Sequence, residues 1–123
     1  MRVWLYARLS NDDDREMNSL LNQREICQAF AEQHGYTIVG QSFDDNISGM
    51  SFDRRGLDEL AAAVDADKID AVIVKDLSRL GRHRTQTALF IDYLREHRVR
   101  VISVTEGVDT FCEEDDLMIG VRG

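Results

Sequence analysis

Blocks of apolar residues alternate with polar stretches along the chain, and their spacing predicts an alternation of strands and helices. Four apolar blocks have the length of strands, at residues 3–6, 36–43, 71–74 and 99–104. Helical spacing of apolar positions marks residues 57–64 and 85–97, and also a first helix that carries Leu20, Leu21, Ile26, Phe30 and Ala31. Ser19 is a suitable N-cap for that first helix, and Gly35 ends it. The polar stretches 11–18 and 44–55 are predicted to be loops.

Strands and helices that alternate with short connections predict an α/β fold with a parallel, doubly wound sheet. Residues 71–74 read Ala-Val-Ile-Val, which is typical of a central strand buried on both faces. Ligands of such sheets bind at the carboxyl ends of the strands, where the strand order reverses. Residues that follow the first and third strands are therefore expected to meet at one edge.

Composition narrows the class of protein. The chain has 123 residues, of which 43% are apolar and 31% charged, as expected for one soluble globular domain. No apolar run has the length of a membrane helix and no signal peptide is recognisable, so we expect no membrane and a cytoplasmic location. Cys27 and Cys112 are isolated and the three histidines lack ligand spacing, so neither a disulfide nor a metal site is expected.

The charge is distributed unevenly. The net charge of −8 argues against a nucleic-acid partner, because binding to phosphates usually needs a cationic surface. Residues 75–84 nevertheless hold four cationic side chains and a single acid, whereas acids are concentrated at 12–14 and 113–116. This distribution suits a domain with one basic site whose bulk affinity for DNA comes from elsewhere.

Two stretches supply groups for attack on a phosphodiester. Arg8 and Ser10 follow the first strand, and Arg79 and Arg82 follow the third. Attack by a serine hydroxyl builds negative charge on the phosphate oxygens, which guanidinium groups stabilise well. Read alone, the first pair is equally consistent with a surface arginine and a turn serine, and the second pair with partners among the abundant acids.

Other polar positions have an ordinary interpretation beside the functional one. Gln23 is either a donor to the phosphate or its loop, or a solvated side chain behind the cap Ser19. Ser48 and Arg54 belong either to a mobile site loop or to an ordinary turn. A rival arrangement combines the acids at 12–14 with Lys75 and suggests a magnesium-binding phospho-receiver, although it gives the arginines no role.

The segments 6–10, 18–23, 47–49, 53–54 and 72–82, taken in order, resemble the catalytic domain of serine recombinases, the resolvase and invertase superfamily. The chain is most similar to the large serine recombinases that act as integrases or transposases of mobile elements. The resemblance implies a resolvase-like three-layer fold, with a mostly parallel sheet of four or five strands flanked by helices. It also implies double-stranded DNA attachment sites as partners, and homo-oligomers that pass from a dimer to a synaptic tetramer.

The resemblance further implies roles for individual residues. Ser10 would attack DNA to form a 5′-phosphoserine link and release a 3′ hydroxyl, without a metal or other cofactor. The implied phosphate ligands are Arg8, Arg54, Arg79 and Arg82, with Gln23 and Ser48 supporting the site. Further supporting candidates are Tyr6, Asp45, Asp70 and Asp76.

The chain departs from the family pattern at three positions. Ser78 stands where many relatives have an aspartate, and Asp76 is the candidate that would replace it; Arg55 stands where many have proline, and Asn18 where a glutamine is common. Residues 1–110 are expected to form the catalytic domain, and 111–123 to begin the connection to a long oligomerisation helix and DNA-binding domains. Residues 1–123 alone are expected to bind DNA weakly, to be incompetent in recombination, and to be monomeric or to associate differently from the full protein.

Overall fold

A computed structural model describes residues 1–10, 19–46, 54–81 and 84–109, with only the backbone at Ser10 and Asn46. The strands are β1 (Arg2–Ser10), β2 (Thr37–Asn46), β3 (Ala71–Val74), β4 (Arg100–Ser103) and β5 (Val108–Asp109). The helices are α1 (Leu20–Gln33), α2 (Arg55–Asp65) and α3 (Arg84–Glu96), and a 3-10 helix spans Leu77–Leu80.

The described strands form one sheet in the order β2-β1-β3-β4-β5. All neighbouring pairs are parallel except β4 and β5, which are antiparallel. The strand order reverses between β1 and β3, so the predicted ligand position lies where these two strands end. The predicted α/β class with a mostly parallel central sheet is confirmed, and β5 is an addition that the sequence did not indicate.

Helices cover both faces of the sheet and produce three layers. Cys27 and Ala31 of α1 pack with Leu5 and Ile73 on one face. Leu57, Leu60 and Val64 of α2 and Leu94 of α3 join the cluster on the other face, which also includes Tyr6 and Leu80. All four residues of β3 are buried, as the unbroken apolar run predicts.

The first two strands are longer than their apolar blocks. β1 continues to Ser10 and β2 to Asn46, because the two strands remain paired in parallel register to their ends, with Arg8 opposite Asp44. The prediction that residue 44 begins a loop is therefore wrong. Arg8 and Asp44 are polar but buried in these extensions, because they find hydrogen-bond partners inside the protein, so apolar periodicity does not mark them.

Helix α1 begins after its predicted N-cap, since the Ser19 hydroxyl oxygen accepts a hydrogen bond from the Asn22 amide. Its core-facing side differs from the prediction, however. Leu21 is 60% exposed, whereas Gln23 is fully buried. The side-chain amide of Gln23 faces the sheet because β1 presents backbone N–H and C=O groups there, with which a leucine could not form hydrogen bonds.

Several predictions concern residues outside the described part of the chain. They are Ser48, Arg82, the acids at 12–14 and the segment 111–123. Within the described ranges, no helix is long and apolar enough to cross a membrane. Cys27 is a free thiol, and burial raises its pKa to about 12, so it stays protonated and unreactive.

Candidate active site

Arg8 and the turn that carries Arg79 bind each other's backbone at the carboxyl end of β1. The Arg8 guanidinium donates through Nη2 to the carbonyl oxygens of Ser78 and Gly81, the latter at 2.9 Å. In return, Nη1 of Arg79 donates to the Arg8 carbonyl oxygen at 2.8 Å. Both side chains are buried. Hydrogen bonds thus connect the end of β1 and the arginine turn (residues 76–81) in both directions. This contact agrees with the expectation that residues following β1 and β3 meet at one edge of the sheet.

Gln23 completes this arrangement from the other side of β1. Its Nε2 donates to the Arg8 carbonyl oxygen at 2.8 Å, and its Oε1 accepts from the Arg8 amide at 3.1 Å. The side-chain amide thereby bonds to β1 as a neighbouring strand would. The alternative of a solvated side chain is therefore wrong: Gln23 is buried and fixes the backbone that carries Arg8.

Asp76 organises the arginine turn. One carboxylate oxygen, Oδ2, accepts from Nε and Nη2 of Arg79 at 3.3 and 3.2 Å. The other, Oδ1, accepts from the amide of Ser78 at 3.1 Å and from its hydroxyl. A carboxylate therefore does accompany Arg79, but it comes from the start of the turn, and Ser78 serves as one of its hydrogen-bond donors.

Glu106 is a further acid at this turn that the sequence did not single out. Its Oε1 accepts from the Leu77 amide at 2.8 Å and from the Ser103 hydroxyl at 2.6 Å. The Thr105 hydroxyl and amide both donate to the Lys75 carbonyl oxygen. The connection between β4 and β5 thus holds the beginning of the arginine turn in place. The sequence alone does not indicate this contact, because it depends on the pairing of β3 with β4 in the sheet.

Tyr6 of β1 and Asp44 of β2 form a buried hydrogen-bonded pair near Arg8. The Tyr6 hydroxyl donates to Oδ2 of Asp44 at 2.7 Å. Burial, and then this hydrogen bond, raise the pKa of Tyr6 well above its usual value, so the phenol remains a proton donor. The positive charges of Arg8 and Arg54 act on the same pKa in the opposite direction.

Arg54 reaches the site from the beginning of α2. It is the N-cap of that helix, its side chain is about half exposed, and Nε donates to Asp58 at 3.3 Å. With Leu80 and Gly81 it lines a cavity of about 240 Å³ between α2, the arginine turn and α3. The structure therefore brings Arg54 beside the turn that carries Arg79, although the two follow different strands.

The remaining predicted residues divide between the two ends of the sheet. Ser10 ends β1 two residues beyond Arg8, and the exposed Asp45 pairs with Leu9 in register on β2. Asp70 lies at the opposite end, where it binds the amide and guanidinium of Arg2. It precedes β3 and pairs with the first residue of β1, so the expectation that Asp70 supports the serine is wrong.

The charges around the end of β1 suit an anionic ligand. Arg8 and Arg79 lie at this end, Arg54 lines the neighbouring cavity with Gly81, and among the described contacts Asp76 binds Arg79 and Asp58 binds Arg54. Guanidinium groups remain cationic at every physiological pH, so the charge of these three side chains does not depend on pH.

Comparison with known proteins identifies the family. The sequence profile described as "Resolvase, N terminal domain" matches residues 3–123. Over 121 residues the chain is 31% identical to the Transposon Tn3 resolvase of Escherichia coli, a match that covers 98% of this chain and 60% of the relative. It is also 31% identical over 105 residues to the serine recombinase gin of Escherichia phage Mu, covering 85% of this chain and 48% of the relative.

Solved structures agree with this match. A resolvase family site-specific recombinase from Streptococcus pneumoniae superposes with a TM-score of 0.77 at 29% identity, covering 98% of this chain and 82% of that one. The N-terminal catalytic domain of TP901-1 integrase has a TM-score of 0.78 at 23% identity, covering 98% and 90%, and supports the fold. These matches leave the phospho-receiver alternative without support. The chain spans roughly half to three fifths of its curated relatives, and it belongs to the resolvase N-terminal domain family, among the serine recombinases.

Proposed function

We propose that this chain is the catalytic domain of a site-specific DNA recombinase whose nucleophile is Ser10. The observation that carries the proposal is the pair of buried arginines at the carboxyl end of β1, where Arg8 binds the Gly81 carbonyl of the arginine turn and Arg79 binds the Arg8 carbonyl, two residues before the serine. This is the position at which a doubly wound sheet binds ligands. Names of relatives such as "Serine recombinase gin" and "Transposon Tn3 resolvase" supply the class of reaction.

The proposed reaction is a transesterification on the DNA backbone. The Ser10 oxygen forms a bond to phosphorus while the bond from phosphorus to the 3′ oxygen breaks. The serine proton is lost, and the leaving 3′ oxygen gains a proton and becomes a hydroxyl. The energy of the phosphodiester is conserved in the phosphoserine, so attack by a 3′ hydroxyl reverses the step and rejoins the strand.

The arginines stabilise the charge that develops on the phosphate oxygens. In this structure Arg8 donates to neutral carbonyl oxygens, whereas a phosphate oxygen carries charge. A guanidinium pairs with the charged oxygens of a phosphate bidentately, which a carbonyl oxygen does not match, so a phosphate competes well for these donors. Arg79 is held by Asp76, and Arg54 and Arg82 complete the proposed set of phosphate ligands.

Other residues of the site act through these ligands. Gln23 positions Arg8 through its backbone, and Tyr6 remains a neutral donor to Asp44, so neither takes the serine proton. Asp76 fills the place of the carboxylate that many relatives carry at the position of Ser78. Ser48 and Asp45 are assigned a supporting role on the loop side of the site.

The whole reaction involves partners beyond this chain. We propose double-stranded attachment sites as the substrate and integration or excision of a mobile element as the outcome. We further propose that a dimer binds each site and that two dimers assemble into a synaptic tetramer in the cytoplasm. Because the net charge is −8, most of the DNA affinity would come from other parts of the complete protein.

The chemistry of the cleaved ends tests the proposal. The complete recombinase is incubated in EDTA with duplexes that carry the junction sequences of its element and a nick beside the crossover. We expect a covalent adduct whose 5′ end resists phosphorylation by a kinase and whose 3′ end is extended by a polymerase. The Ser10→Ala variant should form none. An adduct that persists in Ser10→Ala, or one with a free 5′ hydroxyl, would overturn the assignment of the nucleophile.

A further inference from the structure

Asp44 is a buried carboxylate that lies one strand away from the proposed nucleophile. It is 1% exposed and accepts three hydrogen bonds, from the Tyr6 hydroxyl at 2.7 Å, the Gly56 amide at 2.7 Å and the Leu57 amide at 3.0 Å. A buried carboxylate is costly unless donors surround it. Those donors come from β1 and from the first turn of α2, so Asp44 joins these two elements through β2.

The beginning of α2 depends on this contact. Arg54 is the N-cap, but its side chain makes no capping hydrogen bond. Gly56 and Leu57 are the second and third residues of the helix, whose amides an N-cap side chain normally binds. Asp44 supplies the missing acceptor from a neighbouring strand. Its charge also lies at the positive end of the helix dipole.

The helix start is held against β2 by a second, independent set of contacts. The Ser42 hydroxyl donates to the Gly56 carbonyl oxygen at 2.7 Å and accepts from Nε1 of Trp4 at 2.9 Å. A β-carbon on Gly56 would lie 2.5 Å from the Phe43 carbonyl oxygen, so only glycine permits this approach. The backbone before Gly56, which carries Arg54, is therefore fixed relative to β1.

We infer that Asp44 is a positioning residue for Arg54, which it places beside the end of β1 and the arginine turn. This inference rests on the proposed function, in which Arg54 binds the scissile phosphate. Asp44 touches neither the phosphate nor the serine. It acts by fixing the first turn of α2, so its loss weakens the reaction only as far as Arg54 contributes.

A double-mutant cycle on the complete recombinase tests the inference, with single-turnover formation of the covalent adduct as the readout. Asp44→Asn keeps the size of the side chain but removes its charge. We expect a rate loss of about tenfold with Arg54 present, and of less than about twofold in the Arg54→Ala background. Glu59→Gln makes the same change in charge on the exposed face of α2 and should leave the rate unchanged. Equal losses from Asp44→Asn in both backgrounds would overturn the inference.

A structural readout keeps the inference testable apart from the reaction. In Asp44→Asn, we expect faster hydrogen exchange at the Gly56 and Leu57 amides and a changed NMR shift of the Arg54 Nε–H. If Asp44→Asn fails to fold, Asp44→Glu, which keeps the charge but moves the carboxylate relative to the Gly56 and Leu57 amides, takes its place in both measurements. Wild-type protein that forms no Ser10-dependent adduct would refute the proposed function. Unchanged exchange and an unchanged Arg54 signal would refute the positioning role.

Discussion

Replacing Gln23 with leucine removes both hydrogen bonds that connect α1 to the backbone of Arg8. The two bonds measure 2.8 and 3.1 Å and lie in a fully buried region. The Arg8 carbonyl oxygen keeps Arg79 as a donor, whereas the Arg8 amide loses the acceptor that Gln23 provides. A buried donor deprived of its acceptor costs about 1–3 kcal/mol, and the second bond contributes about 1 kcal/mol. We therefore expect Gln23→Leu to lower the free energy of unfolding by about 2–4 kcal/mol.

Equilibrium unfolding in urea measures this difference, and the same helix offers a matched control. Gln28 also lies in α1 and donates to Glu32 at 3.1 Å on the exposed surface. Pairs of this kind contribute only about 0.2–0.5 kcal/mol, so Gln28→Leu should leave the stability nearly unchanged. If the two variants unfold at the same urea concentration, the contact of Gln23 with β1 does not stabilise the domain as argued.

Two further substitutions test other parts of the fold. Gly81→Ala would place a β-carbon 2.7 Å from the Thr87 amide nitrogen, and we expect it to cost about 1–3 kcal/mol in urea unfolding; wild-type stability would contradict the close approach of α3 to the arginine turn. The hydrogen bond from the Arg2 guanidinium lowers the pKa of Asp70, so their ion pair stabilises the folded state above the unfolded pKa of about 3.9 and is lost as the pH falls through the folded pKa. Because both side chains are more than two-fifths exposed, Asp70→Asn should cost only about 0.2–1 kcal/mol at pH 7, and this cost should disappear as the pH falls through the folded pKa of Asp70. A difference between the two proteins that does not shrink in acid would refute this linkage.

Apolar patterning was sufficient to locate the layers of this fold. Residues 71–74 were predicted as a strand to the residue, because a central parallel strand needs no polar position. The N-cap at Ser19 was also recognisable, since the capping interaction is local in sequence. The meeting of the residues that follow β1 and β3 was also expected, because parallel strands place their carboxyl ends at one edge of the sheet.

The polar interior could not be predicted in the same way. The sequence suggests a surface position for Gln23 and a loop position for Asp44. Both are buried nevertheless, because backbone groups of other elements form hydrogen bonds with their side chains. Asp70 was among the supporting candidates, but it lies at the amino end of β3, where it binds Arg2. The positions of these polar side chains depend on tertiary contacts between distant chain segments. Hydrophobic periodicity carries no information about such contacts.

The Arg8 carbonyl oxygen accepts hydrogen bonds from two separate elements, from Gln23 of α1 and from Arg79 of the arginine turn. A single backbone group thereby fastens three segments that are distant in sequence. Local opening at any one of them must break a bond that the others share, so the three are expected to open together as one cooperative unit. Any rearrangement during the reaction would then move the end of β1, the start of α1 and the turn as a single rigid body, with the geometry between Arg8 and Arg79 preserved.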